Sequence, residues 1–129
     1  MASRKLDEQQ LDDLAVGAAI LGTGGGGNPY IGKLRVRELL RQGKDIEIIP
    51  LEALGDDDLV VSVGGIGAPV VGIEKLERGD ECFQALKAIE QETGKTISAL
   101  IPAEIGGSNS MEPLITAAQA GIPVVDGDG

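Results

Sequence analysis

The run Leu59-Val60-Val61-Ser62-Val63, followed at once by Gly64-Gly65-Ile66-Gly67, sets the architecture of this chain. Its β-branched composition predicts a strand buried on both faces, as in parallel sheets covered by helices. Downstream, Asp80 is placed to cap a helix over 81–92, with Phe83, Leu86 and Ile89 inward and Gly94 as its stop. Ile97 to Ile101 reads as the next strand. A helix follows over roughly 110–120, with Pro113 in its first turn and Gly121 at its end. Ile122 to Val125 is a last short strand. Upstream, Ile46 to Ile49 is a short strand closed by Pro50, and Leu51 to Leu54 is one helical turn. Residues 68–78 are ambiguous. From residue 46 the order is strand, strand, helix, strand, helix, strand. That alternation predicts an α/β fold with a mostly parallel sheet flanked by helices.

Two helices precede this core. Leu11, Leu14, Ala15, Ala18 and Leu21 recur at helical spacing over residues 7–21, with Asp7, Glu8, Asp12 and Asp13 in the early turns. A glycine tract follows. Asn28 is then a good N-cap and Pro29 suits the first helical position of a second helix, which ends at Gly43. Ile31, Leu34, Leu39 and Leu40 are expected on its inner side. Lys33, Arg35, Arg37 and Arg41 are expected on a solvated face with some ion pairing. The fold class is therefore α/β, a mostly parallel sheet preceded by two helices joined by a Gly-rich loop.

Composition removes several chemistries. The 129 residues give room for one domain, read as a single α/β domain over 1–129. There is no His and no Trp, and there is one Cys, so a Ser-His-Asp triad, a Cys-His pair and a Cys-rich zinc site cannot be built within one copy. Cys82 reads as a small core residue, since no His is present to activate it. Two aromatic rings and a net charge of −10 argue against nucleic acid as a partner. No apolar run is long enough to cross a membrane, and the polar start has no signal-peptide core, so a cytoplasmic protein with no membrane partner is expected. The 42% hydrophobic fraction is almost all aliphatic, which suits close layers of helix on sheet.

The placement of glycine says more than its total. Of 20 Gly, 12 fall in four clusters at residues 22–27, 64–67, 106–107 and 127–129. The last three follow directly on expected strands. Carboxyl ends of parallel strands share one rim, where ligands bind. Gly24, Gly25, Gly26 and Gly27 with Asn28 can form a backbone N–H cradle for an anion; the other reading is a flexible turn between helices, which would need only one or two glycines. Gly27 to Lys33 spells GxxxxGK, but Leu34 stands where a P-loop needs Ser or Thr, and a helix precedes it instead of a strand. Gly65 can offer an N–H beneath a ligand or simply mark a tight strand exit.

Glu104 lies just past a strand end in an otherwise uncharged segment, where a carboxylate can serve as general base or metal ligand. Gly107, Ser108 and Asn109 follow with amide, hydroxyl and backbone donors, although Asn109 or Ser110 can instead cap the next helix. Asp126 and Asp128 follow the last strand, either orienting a substrate or forming a solvated acidic turn. Asp56-Asp57-Asp58 precedes a strand and reads as a solvated turn at the opposite edge.

Gly22-Thr23-Gly24-Gly25-Gly26-Gly27-Asn28-Pro29, then Pro102-Ala103-Glu104-Ile105-Gly106-Gly107-Ser108-Asn109-Ser110, then Gly121-Ile122-Pro123-Val124-Val125-Asp126-Gly127-Asp128-Gly129, together resemble the S-methyl-thiohydantoin desulfurase family. The resemblance runs from about Leu14 to the end and covers what looks like the N-terminal part of a longer protein. A chain ending there is expected to leave an unpaired sheet edge near Val124–Val125. The resemblance implies hydrolysis at a ring carbon of a small-molecule S-methyl-thiohydantoin, releasing methanethiol and leaving a hydantoin. By motif position it implies site roles for Gly24 to Asn28, Glu104, Ser108, Asn109 and Asp126. On our reading Glu104 or Asp126 is the base for attacking water, and Gly-loop N–H groups, with Gly65 and Gly107, line the substrate. A divalent metal is compatible with such chemistry, with ligands not identifiable in this chain. Homo-oligomerisation or an oxoprolinase-type partner is compatible with the family's setting. The alternative function is a non-catalytic module that binds a small anion or assembles with such a partner.

Overall fold

Three parallel pairings build the sheet. In the computed structural model, which describes residues 2–129, Ile48 and Leu100 both register on Val124, and Val60 to Val63 register on Ala99 to Pro102. The strands are β1 (Arg4–Lys5), β2 (Glu47–Ile49), β3 (Val60–Val63), β4 (Ala99–Pro102) and β5 (Val124–Val125). Their order is β1-β2-β5-β4-β3, and only β1 is antiparallel, to β2. The fold is α/β with a five-stranded, mostly parallel sheet.

The helices are α1 (Glu8–Leu21), α2 (Pro29–Arg41), α3 (Pro69–Glu74), α4 (Glu81–Thr93) and α5 (Glu112–Ala120). Asp7 and Gln10 form a capping box that starts α1, and Asn28 accepts the Tyr30 N–H at 3.0 Å to start α2. Helix α5 is the keystone: Pro113 to Ala118 are all buried, and α2 and α4 pack beside it against the sheet. One face of the sheet, through Ile48, Leu100 and Val124, joins Leu11, Val36, Leu86 and Leu114 in the main core. The other face carries a smaller cluster of Ile49, Ala99 and Val125, to which no helix contributes among the described residues.

Four expectations are corrected. β3 is not buried on both faces. It is an edge strand with Val60 and Val61 half-buried, because β5 and β4 insert between β2 and β3. For the same reason Val124–Val125 is no edge: β5 sits between β2 and β4, and both its residues are buried. On α2 Leu39 and Leu40 pack against the core as expected, but Ile31 and Leu34 are exposed and the buried positions are Pro29, Gly32 and Val36. A Cβ on Gly32 would lie 2.6 Å from the Met111 Cβ, so the missing side chain is what lets fully buried Met111 sit on the helix backbone. Asp80 precedes α4 without capping it through its side chain. The Glu81 carboxylate instead folds back to accept the N–H groups of Arg78 and Gly79.

The basic face of α2 is largely a seam against α1 and α5. Arg37 pairs with Asp12 and Glu8, Arg41 grips Glu8 with two nitrogens at 3.0 and 3.1 Å, and Lys33 reaches Asp12. Arg35 reaches Glu77, Glu112 and the Gly79 carbonyl. Ion pairs near the surface give up much of their attraction to solvent screening. They orient the two helices more than they hold them.

The tract after α1, a 3₁₀ turn at Gly22–Gly24 continuing to Gly27, is pressed on another 3₁₀ turn, Gly107–Ser110. A Cβ on Gly107 (φ +69°) would lie 2.3 Å from the Gly26 backbone, whereas one on Gly24 would meet nothing within 4 Å. Gly107→Ala is therefore expected to cost roughly 2–4 kcal/mol, and Gly24→Ala to change stability by no more than about 0.5 kcal/mol. Urea unfolding midpoints of the two variants check this; equal shifts would refute the packing argument.

Candidate active site at the strand ends

The carboxyl ends of β3 and β4 bring three expected site segments together. Past β3 comes Gly64-Gly65, and past β4 come Glu104 and the 3₁₀ turn. The glycine tract is laid over that turn. The Gly26 carbonyl accepts both the Ser108 N–H at 2.6 Å and the Ser108 hydroxyl at 2.8 Å. Cβ atoms would come within 2.6 Å of opposing atoms at Gly22, Gly26 and Gly27, so much of this glycine serves close backbone contact. Gly24 and Gly25 remain open to solvent.

Asn109 is the centre of the arrangement. It is 9% exposed. Its Nδ2 donates to Glu104 Oε1 at 2.7 Å and to the Gly65 carbonyl at 3.1 Å, and its Oδ1 accepts the Gly65 N–H at 2.8 Å. An amide carries two donor hydrogens and one oxygen, so every polar function of Asn109 has a partner. Only one orientation of the amide satisfies all three, because Oδ1 must face an N–H and Nδ2 must face a carbonyl and a carboxylate. Asn109 thus clips the β3 exit to Glu104, and neither it nor Ser110, whose hydroxyl donates to the Gly107 carbonyl, caps α5 through its side chain.

Glu104 is exposed, with one oxygen fixed by Asn109. Its Oε1 would lie 3.3 Å from a Cβ on Gly26, so the carboxylate stands beside the glycine tract. Asp126 is placed differently. It follows β5, its N–H donates to the Ile49 carbonyl at 2.8 Å, and its carboxylate pairs with Arg4 at 3.2 Å. The geometry therefore gives the two candidate bases unlike surroundings. Asn28 caps α2 at the end of the glycine tract.

On this rim the Asn109 amide N–H already occupies Glu104 Oε1. Among the described residues no group of three or more His, Cys, Asp or Glu is placed to hold a metal ion. Two hollows lie elsewhere. One of about 350 Å³ lies beside Ile31, Arg35 and Gln119, and one of about 460 Å³ lies near Lys44 and Ile122. Neither is lined by Glu104.

The S-Me-THD-like, N-terminal domain family matches residues 9–129. The chain belongs to that family. An X-ray crystal structure of a protein from Chromobacterium violaceum, a structural genomics target, is similar at 25% identity with a TM-score of 0.78. The likeness covers 98% of this chain and 35% of that one, so this chain spans about a third of the solved chain's length. No functionally curated protein matches it significantly. The three motifs that carry the family resemblance all fall within the matched residues, and the Glu104 rim of this S-Me-THD-like domain is built from two of its segments, the glycine tract and Glu104 to Asn109. No described helix is long and apolar enough to cross a membrane.

Sequence reasoning named Glu104, Asn109 and Gly65 but not their connection. Glu104 and Asn109 are five apart, outside helical spacing, and meet only because a 3₁₀ turn folds between them. Arg4, which holds Asp126, lies in a two-residue strand that carries no periodic signal.

Cys82 lies outside this rim. Its sulfur sits 3.7 Å from Glu112 Oε2, and burial, with the Glu112 charge second, pushes the thiol up to about 11. Burial also raises the Glu112 carboxyl, with Arg35 acting in the opposite direction. A thiol ionising near 11 holds about 100-fold less thiolate at pH 8 than one at the reference value of 9.0. Alkylation by iodoacetamide at pH 8 should be slower than for a small free thiol by roughly that factor. In urea it should recover; a fast native rate would contradict the burial argument.

Proposed function

We propose that this domain supplies the base-bearing rim of a hydrolase acting on S-methyl-thiohydantoin or hydantoin-type five-membered rings, within a longer protein. The observation that carries this reading is the exposed Glu104 carboxylate, locked through Asn109 to the Gly65 peptide beside a glycine tract, in a chain of the S-Me-THD-like family.

The chemistry follows from the free side of that carboxylate. Glu104 takes a proton from water as the oxygen attacks the ring carbon bearing the S-methyl group. The C=N electron pair moves to the ring nitrogen, where backbone N–H groups of the glycine tract stabilise the charge. The tetrahedral centre collapses, the C–S bond breaks, and methanethiolate takes the proton back from Glu104. The attacking hydroxyl gives its own proton to the ring nitrogen, so the products are hydantoin and methanethiol. Glu104 is favoured over Asp126 as the base because the Asp126 carboxylate is held by Arg4.

Asn109 acts as a positioning residue. A full-length protein carrying this domain should lose about 10²–10⁴ in kcat on Glu104→Gln, with folding unchanged. Asn109→Asp takes away the amide N–H that fixes Glu104 Oε1, so the base loses its aim while its carboxylate remains. The kcat should therefore fall at least about tenfold with KM little changed, a split that a purely structural role for Asn109 does not produce. Methanethiol release from S-methyl-thiohydantoins measures both. A folded full-length protein that neither binds nor turns over thiohydantoins or hydantoins would sink the substrate assignment.

A further inference from the structure

The least protected surface of the molecule begins at β3. Exposed sheet edges are ordinarily blunted by charge, Pro or a bulge. β3 pairs only with β4, and residues 59–73 contain no charged side chain in a chain that is 25% charged. The segment that follows stays apolar and exposed: Ile66, Val70, Val71, Ile73 and Leu76 are each more than half accessible. Helix α3 in its middle has no buried residue at all. A cluster of exposed aliphatic residues of this kind marks a contact surface.

The solved relative carries more chain than this unit. That chain is matched over only 35% of its length, so nearly two-thirds of it lies outside the unit seen here. Gly129 lies beside the Ala103 carbonyl, just past the end of β4, the strand next to the open edge. A chain that continues as the relative's does leaves from beside β4, the strand that pairs with β3.

We infer that the β3 edge and the 64–76 segment form the seat for the following portion of a full-length family chain, bound in cis. Because Asn109 ties Gly65 to Glu104, a unit seated on β3 and Ile66 also roofs the Glu104 rim and encloses it from water. That last consequence rests on the functional reading above; the docking itself does not.

The test uses the Chromobacterium violaceum protein beside the 129-residue chain. In the relative's crystal structure, the strand superposing on Val60–Val63 should be flanked by backbone from its unmatched part. A bare strand there, or one paired with another copy, would overturn the inference. In solution, amides of the relative's segment matching 66–76 should exchange hydrogen at least about tenfold more slowly than those of this chain; equal exchange would also overturn it. Ile73→Lys with Leu76→Lys in this chain should leave its unfolding midpoint unchanged, because both side chains lie on the surface, and should reduce its concentration-dependent light scattering. A discrete dimer abolished by those substitutions would assign the seat to a second copy instead. None of these readouts depends on turnover, so a failed docking and a failed substrate assignment are separable.

Discussion

Everything at the candidate site depends on backbone lying directly on backbone where the glycine tract crosses Gly106 and Gly107. Backbones approach this closely only where neither side carries a Cβ. The contact is sealed by the Gly26 carbonyl, which accepts two hydrogen bonds from Ser108. It ties the α1–α2 hairpin to the end of β4, and so fixes the distance between the glycine tract and Glu104. The entropy cost of ordering several consecutive glycines is offset by this interlock and by the burial of Met111 over Gly32. A loop of ordinary residues could connect the two helices but could not lie this close to the strand ends.

Much of the fold is legible in residue order. Strand and helix alternation from residue 46 places β2 to β5 and α4 to α5 close to their observed bounds, and Asn28-Pro29 announces the start of α2. The order of strands is not legible, because it depends on which crossovers pack best on α5. β2 and β3 are neighbours in sequence, so Val60–Val63 looks like an interior strand; in space the two are separated by β5 and β4. Apolar spacing likewise misassigns α2. It weighs Ile31 and Leu34 and gives no weight to Gly32, the position where another residue comes closest.

The site follows the same rule. Residue types and strand ends identify Glu104 and Asn109 as candidates, since polar groups in a glycine-rich rim have few structural reasons to be there. What the sequence leaves open is whether Asn109 caps a helix, meets a ligand or serves another side chain. Its three hydrogen bonds decide in favour of the last. Removing it would leave the Gly65 N–H and carbonyl in a part-buried place without their partner, at about 1–3 kcal/mol. Stability and the aim of Glu104 are therefore coupled through one amide.

The absence of His then acquires a physical meaning. On the proposed reading this segment brings a carboxylate to water activation, and a carboxylate free to rotate is a poor base for a fixed substrate. Asn109 removes that freedom at one oxygen while leaving the other side of Glu104 open. A charged partner would do this differently. Arg or Lys in the same place would grip the Glu104 carboxylate in a charge-assisted pair and compete with water for it. A neutral amide orients with far less electrostatic effect, and its remaining donor and acceptor are absorbed by the Gly65 peptide instead of competing for substrate. Asp126 shows the contrast within the same molecule: its carboxylate is paired with Arg4 of the edge strand β1 and so is tied to the sheet edge.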